Sequence, residues 1–192
     1  LNLAKDYNKD LSDVDFILLA TVSHDHVMPS IAAVLQHRLG IKQAGALDIS
    51  AACAGFGYGV SLAKGMIESG MHRKVLVIGA EVLSKVTDFS DRTSCILFGD
   101  GAGAVVLRAM DEDESNASGG NGKGHNSGRG VLSTHIHSDG KHYALLYVAG
   151  GPSRTHTVGH LRMNGKEVFR HAVTKLASIV DEALEANDLE RS

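Results

Sequence analysis

The chain has 192 residues, 43% of them hydrophobic and 21% charged, which is an ordinary composition with enough length for a sizeable core. A formal net charge of −3 gives no global basic field and argues against a nucleic-acid partner, and no apolar run approaches the roughly 18 residues of a membrane span. Two cysteines, Cys53 and Cys95, make no disulfide framework and fit a reducing compartment.

Leu1 is not an initiator methionine, the first residues lack a signal-peptide core, and the last ones follow directly on a helical pattern. Both ends read as cuts in something longer. Asp15 to Thr21 is a near-continuous apolar run of strand length, suited to a central strand covered on both faces. Ser23 to Ser30 is a polar turn, with Pro29 placed for a helix start. Ile31, Val34, Leu35 and Leu39 recur at helical spacing, and Gly40 is the expected residue just past the end. Ala46 to Ile49 is a second strand-like run, leading through small residues to Cys53. Phe56, Val60, Ala63 and Ile67 mark a helix that Cys53 opens and Gly70 closes. Lys74 to Ala80 is a third strand by length and β-branching. Strands alternating with helices predict an α/β fold around a parallel sheet.

Residues 84–92 read as a loop, and Cys95 to Phe98 leaves strand and helix both open. Gly99, Gly101 and Gly103 lack the G-x-G-x-x-G spacing of a dinucleotide site, and the strand-like Ala104 to Leu107 follows them. Close packing of backbone is their expected role. Residues 111–130 are acidic, then rich in Gly, Ser and Asn, and read as a flexible surface insertion. Gly130 to His137 reads as a strand and Ala149 to Thr157 as a loop. Asn164 caps a long helix with Glu167 as its capping-box partner, and Val168, Ala172, Leu176, Ile179, Val180 and Leu184 form its stripe. The organisation expected is an N-terminal half over residues 1–157 and the start of a second half over 158–192.

Chemistry centres on Asp48-Ile49-Ser50-Ala51-Ala52-Cys53-Ala54-Gly55-Phe56. A cysteine at a helix start meets unpaired N–H groups and the positive end of the helix dipole, both of which favour an anion. The chemical reading is an acyl-transfer nucleophile; the plainer one is a small buried residue. Met28, Leu83, Phe98, Leu161, Met163 and Phe169 are apolar residues on or beside loops, compatible with plain core or with an acyl-chain pocket. Arg92, Arg154, Arg162, Lys166 and Arg170 are surface cations that together suit a phosphate-bearing ligand. His24-x-His26 and His135-x-His137 put imidazoles on one strand face, but no Cys or carboxylate stands at zinc-ligand spacing, so no metal is expected.

The Cys53 stretch, Asp91-Arg92, Phe98-Gly99-Asp100-Gly101-Ala102-Gly103-Ala104, His137-Ser138-Asp139-Gly140 and Met163-Asn164-Gly165-Lys166-Glu167-Val168-Phe169 together resemble the β-ketoacyl-acyl carrier protein synthase III family of thiolase-like condensing enzymes. The resemblance implies the N-terminal half of an αβαβα layered sandwich, acting as a homodimer. It implies acyl transfer from an acyl-CoA to Cys53 and then condensation with malonyl-acyl carrier protein, with no cofactor, no nucleic acid and no membrane. The setting would be the cytoplasm or a plastid stroma. Cys53 would be the acylated nucleophile, its own N–H helping to form an oxyanion hole. Arg92 matches a position beside the coenzyme A adenine, and Lys166 stands among the coenzyme A contacts. Leu83, Phe98, Leu161, Met163, Gly165 and Phe169 match the primer pocket. Met28 matches a side chain that reaches across the dimer, where phenylalanine is common; Lys166 and Thr93 stand where asparagine and glycine occur. No P-H-Q-A-N-like or G-N-T-S-like stretch, the family's enolate-stabilising His and Asn, occurs in the 192 residues. A polyketide starter enzyme, a 3-hydroxy-3-methylglutaryl-CoA synthase relative and a non-catalytic dimerising piece are the alternatives.

Overall fold

The structure, a computed structural model, describes residues 10–110 and 130–191. The expected insertion at 111–130 lies, apart from Gly130, outside the described residues. The chain forms two compact units, one of Leu1–Ala80 with Ala102–Thr134, the other of Glu81–Gly101 with His135–Ser192.

The first unit is built on four strands, β1 (Phe16–Ala20), β2 (Gly45–Ile49), β3 (Lys74–Val82) and β4 (Asp100–Arg108), arranged in the order β2-β1-β3-β4. β1 runs parallel to both neighbours, with Phe16 opposite Gly45 and Val75, and Ala20 opposite Ile49 and Gly79. Its unbroken apolar run follows from being covered twice. Ile17 and Leu19 pack with Val14, Ala32, Ile41 and Leu76 under α1 (Ile31–Arg38). Leu18 faces the other way and packs with Ala63, Val75 and Val77 under α2 (Gly55–Glu68). Successive side chains of a strand point to opposite faces, so the two helices lie on opposite sides of the sheet. Both helices end as expected: Gly40 and Gly70 each take φ of 72°, the left-handed conformation that glycine adopts without strain.

The second unit holds an antiparallel pair, β5 (Leu146–Gly151) and β6 (Thr157–Met163), and a long helix, α3 (Gly165–Glu185). Asn164 caps α3 through its side-chain oxygen, which accepts from the Glu167 N–H at 3.4 Å.

Four local expectations need correction. Residues 149–157, read as a loop, include the ends of both β5 and β6, with only a short turn between them. Their Gly-Gly and Ser-Arg-Thr composition hid a hairpin whose irregularity is a register shift within β5, between Val148 and Gly150. Residues 130–137 form no strand; side-chain bonds hold this extended stretch instead, Ser61 Oγ to Thr134 Oγ1 at 3.0 Å and the Glu182 carboxylate to His135 and His137. Cys95 to Phe98 is neither strand nor helix but turn, organised by Asp91. Gly99, Gly101 and Gly103 show no close packing among the described residues, where a Cβ built on any of them meets nothing within 4 Å. Gly99 lies just before β4, and Gly101 and Gly103 lie in its first half.

Candidate active site

The position of Cys53 follows from two adjacent events at the end of β2. The strand stops at Ile49, and Ala52–Ala54 form a single 3-10 turn before α2 begins at Gly55. Cys53 therefore sits in a turn immediately ahead of the helix, one step earlier than its expected place as the helix opener. Ala52 reaches this turn with φ of 45°, an uncommon conformation for a residue with a Cβ. The start of α2 lies directly on the sheet. A Cβ on Gly55 would stand 2.9 Å from the Ala20 Cβ, and one on Gly59 would stand 2.8 Å from Val77 Cγ1. These two absent methyls allow the helix to approach, and the approach fixes where the turn before it can lie. The thiol of Cys53 is free and exposed. An exposed thiol ahead of a 14-residue helix lies at the end of that helix where its dipole is positive.

Met28 stands in the loop between β1 and α1 and is 79% exposed. That loop is fastened at both ends. The Thr21 N–H donates to the Ile49 carbonyl at 3.1 Å. At the far end, Ser30 caps α1, its Oγ accepting from the Ala33 N–H at 3.1 Å. Asp48 adds a second cap from the sheet, accepting from the Ile31 N–H at 2.7 Å and the Ala32 N–H at 2.8 Å. His24 Nε2 approaches the same carboxylate at 3.8 Å.

The remaining candidates, Leu83, Arg92, Phe98, Leu161, Met163, Gly165, Lys166 and Phe169, all belong to the second unit. Leu161 is buried, Leu83, Phe98 and Met163 are half-buried, and Arg92, Gly165, Lys166 and Phe169 are exposed. Leu161 and Met163 lie on β6, and Gly165 to Phe169 form the first turns of α3. The segment carrying Leu83, Arg92 and Phe98 is tied to β6 and to β4. The Leu161 N–H donates to the Val86 carbonyl at 2.7 Å, and Arg162 Nη1 pairs with Asp88 Oδ2 at 3.2 Å. The Asp100 carboxylate accepts from the Ser84 N–H at 2.8 Å and the Ser84 hydroxyl at 2.7 Å. Asp91 accepts from the Thr93 N–H and hydroxyl and from the Ser94 hydroxyl, so Arg92 sits in a loop closed by one carboxylate. Donated hydrogen bonds favour the ionised form of each of these acids. Ser90 holds Asp88, Thr93 and Ser94 hold Asp91, and Ser84 holds Asp100 below the ordinary carboxylate range.

The sequence reading missed the structural work of four carboxylates. Asp48 interrupts an otherwise apolar strand between Leu47 and Ile49, and that interruption was its signal. Asp91, two residues before Thr93, carried the mark of an Asx turn. Asp139 takes the Lys175 ammonium at 3.0 Å and lies near Lys141, and these cations hold its carboxyl at about 2. Glu182 accepts from His135 Nδ1 at 3.0 Å and from His137 Nε2 at 2.7 Å, which holds its carboxyl below the ordinary value. Only spatial neighbourhood pairs residues so far apart in the chain. Among the described residues no group of three or more His, Cys, Asp or Glu is placed to hold a metal ion.

Comparison with known proteins gives one family. Residues 47–140 match the family described as 3-oxoacyl-[acyl-carrier-protein (ACP)] synthase III. The chain is 53% identical over 181 residues to the β-ketoacyl-[acyl-carrier-protein] synthase III of Paramagnetospirillum magneticum, covering 94% of this chain and 53% of that protein. It is 54% identical over 177 residues to the enzyme of that name from Rhodospirillum centenum, covering 92% and 51%. Among solved structures it resembles β-ketoacyl-[acyl carrier protein] synthase III of Thermus thermophilus, with a TM-score of 0.81, 35% identity, and coverage of 97% of this chain and 55% of that one. It also resembles the priming β-ketosynthase of the R1128 polyketide pathway, with a TM-score of 0.76, 31% identity, and coverage of 97% and 52%. The chain spans about half the length of these relatives.

Proposed function

Since the chain belongs to the β-ketoacyl-[acyl carrier protein] synthase III family, we propose that it carries the acyl-accepting part of a condensing enzyme that starts fatty acid synthesis. The observation that carries this reading is Cys53, an exposed thiol on a one-turn bend running into the N-terminus of α2. The Cys53 sulfur attacks the thioester carbonyl of an acyl-CoA. The carbon–sulfur bond to coenzyme A breaks, coenzyme A leaves as its thiol, and an acyl-Cys53 thioester remains. The Cys53 N–H and the helix terminus stabilise the oxyanion formed on the way. Decarboxylation of malonyl-acyl carrier protein then supplies the carbon nucleophile that displaces the sulfur and gives the 3-oxoacyl product.

Arg92 and Lys166 serve coenzyme A. Leu83, Phe98, Leu161, Met163, Gly165 and Phe169 receive the primer chain, and Met28 closes the pocket of a second copy in a homodimer. The working partners are acyl carrier protein and coenzyme A thioesters, in a cytoplasm or a plastid stroma, with no cofactor. Among the described residues no helix is long and apolar enough to cross a membrane.

Intact-mass spectrometry of the full-length protein with short acyl-CoAs tests the reading. An acyl increment on the Cys53 peptide, absent in Cys53→Ser, is the expected result; an unchanged mass with every primer overturns it. The 192 residues contain no His or Asn in the family's enolate-stabilising contexts, so this chain alone should release no carbon dioxide from malonyl-acyl carrier protein while the full-length enzyme does. The likeness to a priming ketosynthase favours a second reading, a polyketide starter enzyme. Kinetics with a fatty-acid carrier protein against a polyketide carrier protein separates the two.

A further inference from the structure

We infer that Asp48 is a positioning residue for primer selection, acting by locking the loop that carries Met28 to the strand that delivers Cys53. The inference rests on the acyl-accepting role proposed above.

The loop from Thr21 to Ser30 has both its ends fastened to two adjacent residues of β2. Its start is held by the Thr21 N–H on the Ile49 carbonyl at 3.1 Å. Its end is held where α1 begins, by the Ile31 and Ala32 N–H groups on the two oxygens of Asp48 at 2.7 and 2.8 Å. A bond to a backbone carbonyl survives any side-chain change, so of these two closures the one at Asp48 is written in a side chain. It is a strong closure. A charged acceptor taking two first-turn amides satisfies two of the four orphan donors of a helix start and neutralises the positive end of its dipole. Its side chain is 14% exposed, which limits competition from water.

Asp48 is not the helix's own cap. Ser30 already fills that place, with its Oγ on the Ala33 N–H at 3.1 Å. A short helix of eight residues thus has a local cap and a remote one, and the remote one comes from the strand that ends four positions before the nucleophile. His24 adds a third contact from within the loop, with Nε2 at 3.8 Å from Asp48 Oδ2. The carboxylate therefore ties together the loop interior, the helix start and the nucleophile's strand. Met28, 79% exposed and two residues ahead of Ser30, has no burial of its own to hold it. Its position is inherited from these fastenings. Loosening the Asp48 closure frees the Met28 side of the loop while the Ile49 closure and the β2 register persist.

Asp48→Asn keeps the shape but offers one acceptor and one donor to two N–H groups, so one amide loses its partner. In the full-length enzyme the ratio of kcat/KM for acetyl-CoA to that for butyryl-CoA, read as acyl-Cys53 formation, should shift by about fivefold or more. Ser30→Ala weakens the same helix start without touching β2. It should lower stability and leave that ratio unchanged. A ratio unchanged in Asp48→Asn, or shifted equally by Ser30→Ala, overturns the inference. If Asp48→Asn does not fold, the wild-type enzyme decides: acylation of Cys53 should slow hydrogen exchange at the Ile31 and Ala32 amides, and unchanged exchange there overturns the coupling. A wild-type enzyme that forms no acyl adduct at all sinks the parent reading and this one with it, whereas a normal adduct with an unmoved ratio sinks this one alone.

Discussion

Ala52 shows how much a single backbone angle settles. Its φ of 45° turns the chain out of β2 and presents the next side chain, Cys53, to solvent. A methyl group tolerates this angle poorly and a β-branched group far worse. Ala52→Val should therefore cost about 1–3 kcal/mol in a denaturant titration and slow iodoacetamide labelling of Cys53. Asp139 makes a second residue-scale case. Lys175 above all, then Lys141, hold its carboxyl at about 2, against an ordinary 3.8. A group with a lowered folded value contributes stability above its unfolded value and loses it as pH falls toward its folded one. The contribution of Asp139 should thus be whole above the ordinary carboxylate value and fade between 3.8 and about 2. An acid titration by circular dichroism should show less loss across that window in Asp139→Asn than in the parent. A parent and variant with the same slope there would remove Asp139 from the account. Neither residue was legible beforehand in these roles. A left-handed alanine has no sequence mark, and Lys175 lies too far along the chain for spacing to pair it with Asp139.

Elements were easier to read than residues, and for a physical reason. β1, β2, β3, α1 and α2 announce themselves because burial on one or two faces forces apolar residues into the period of the backbone. The hairpin of β5 and β6 did not. Much of both strands is exposed, so no hydrophobic alternation is demanded of them, and the two glycines at 150 and 151 mimic a loop. The α3 stripe was read correctly as a stripe, yet Leu176 is 64% and Val180 50% exposed among the described residues, so periodicity located a face without saying what covers it. The thiolase-like α/β class expected from the motifs holds. The four glycines of α2 separate packing from propensity. Gly55 and Gly59 touch the sheet, whereas a Cβ on Gly57 or Gly65 meets nothing within 4 Å among the described residues. Gly65→Ala should raise stability by up to about 1 kcal/mol through helix propensity. Gly59→Ala should lower it by about 1–3 kcal/mol, because Val77 must move to admit the methyl. Thermal melts of the pair check both signs; a Gly59→Ala that melts at or above the parent would mean the helix rides away from the sheet at no cost.

At the scale of the whole molecule, the motifs pointed to the same family that the comparisons give, and the chain spans about half the length of those relatives. Cys53 and Met28 belong to one compact unit and the other eight candidates to the second. Sequence order gave no hint of this partition, because β3 and β4 each cross from one unit to the other. The candidate residues themselves were named by the resemblance of motifs, since hydrophobic pattern alone left Leu161, which is buried, indistinguishable from Phe169, which is exposed.

The loop from Thr21 to Ser30 begins and ends on neighbouring residues of one strand, and this has an evolutionary corollary. Its interior is a cassette: descendants can exchange it wholesale, provided the two fastening points stay where they are. Diversity in what such enzymes accept should then accumulate between those points, and chimaeras that swap this interval among relatives should inherit the donor's preferences while keeping the recipient's architecture.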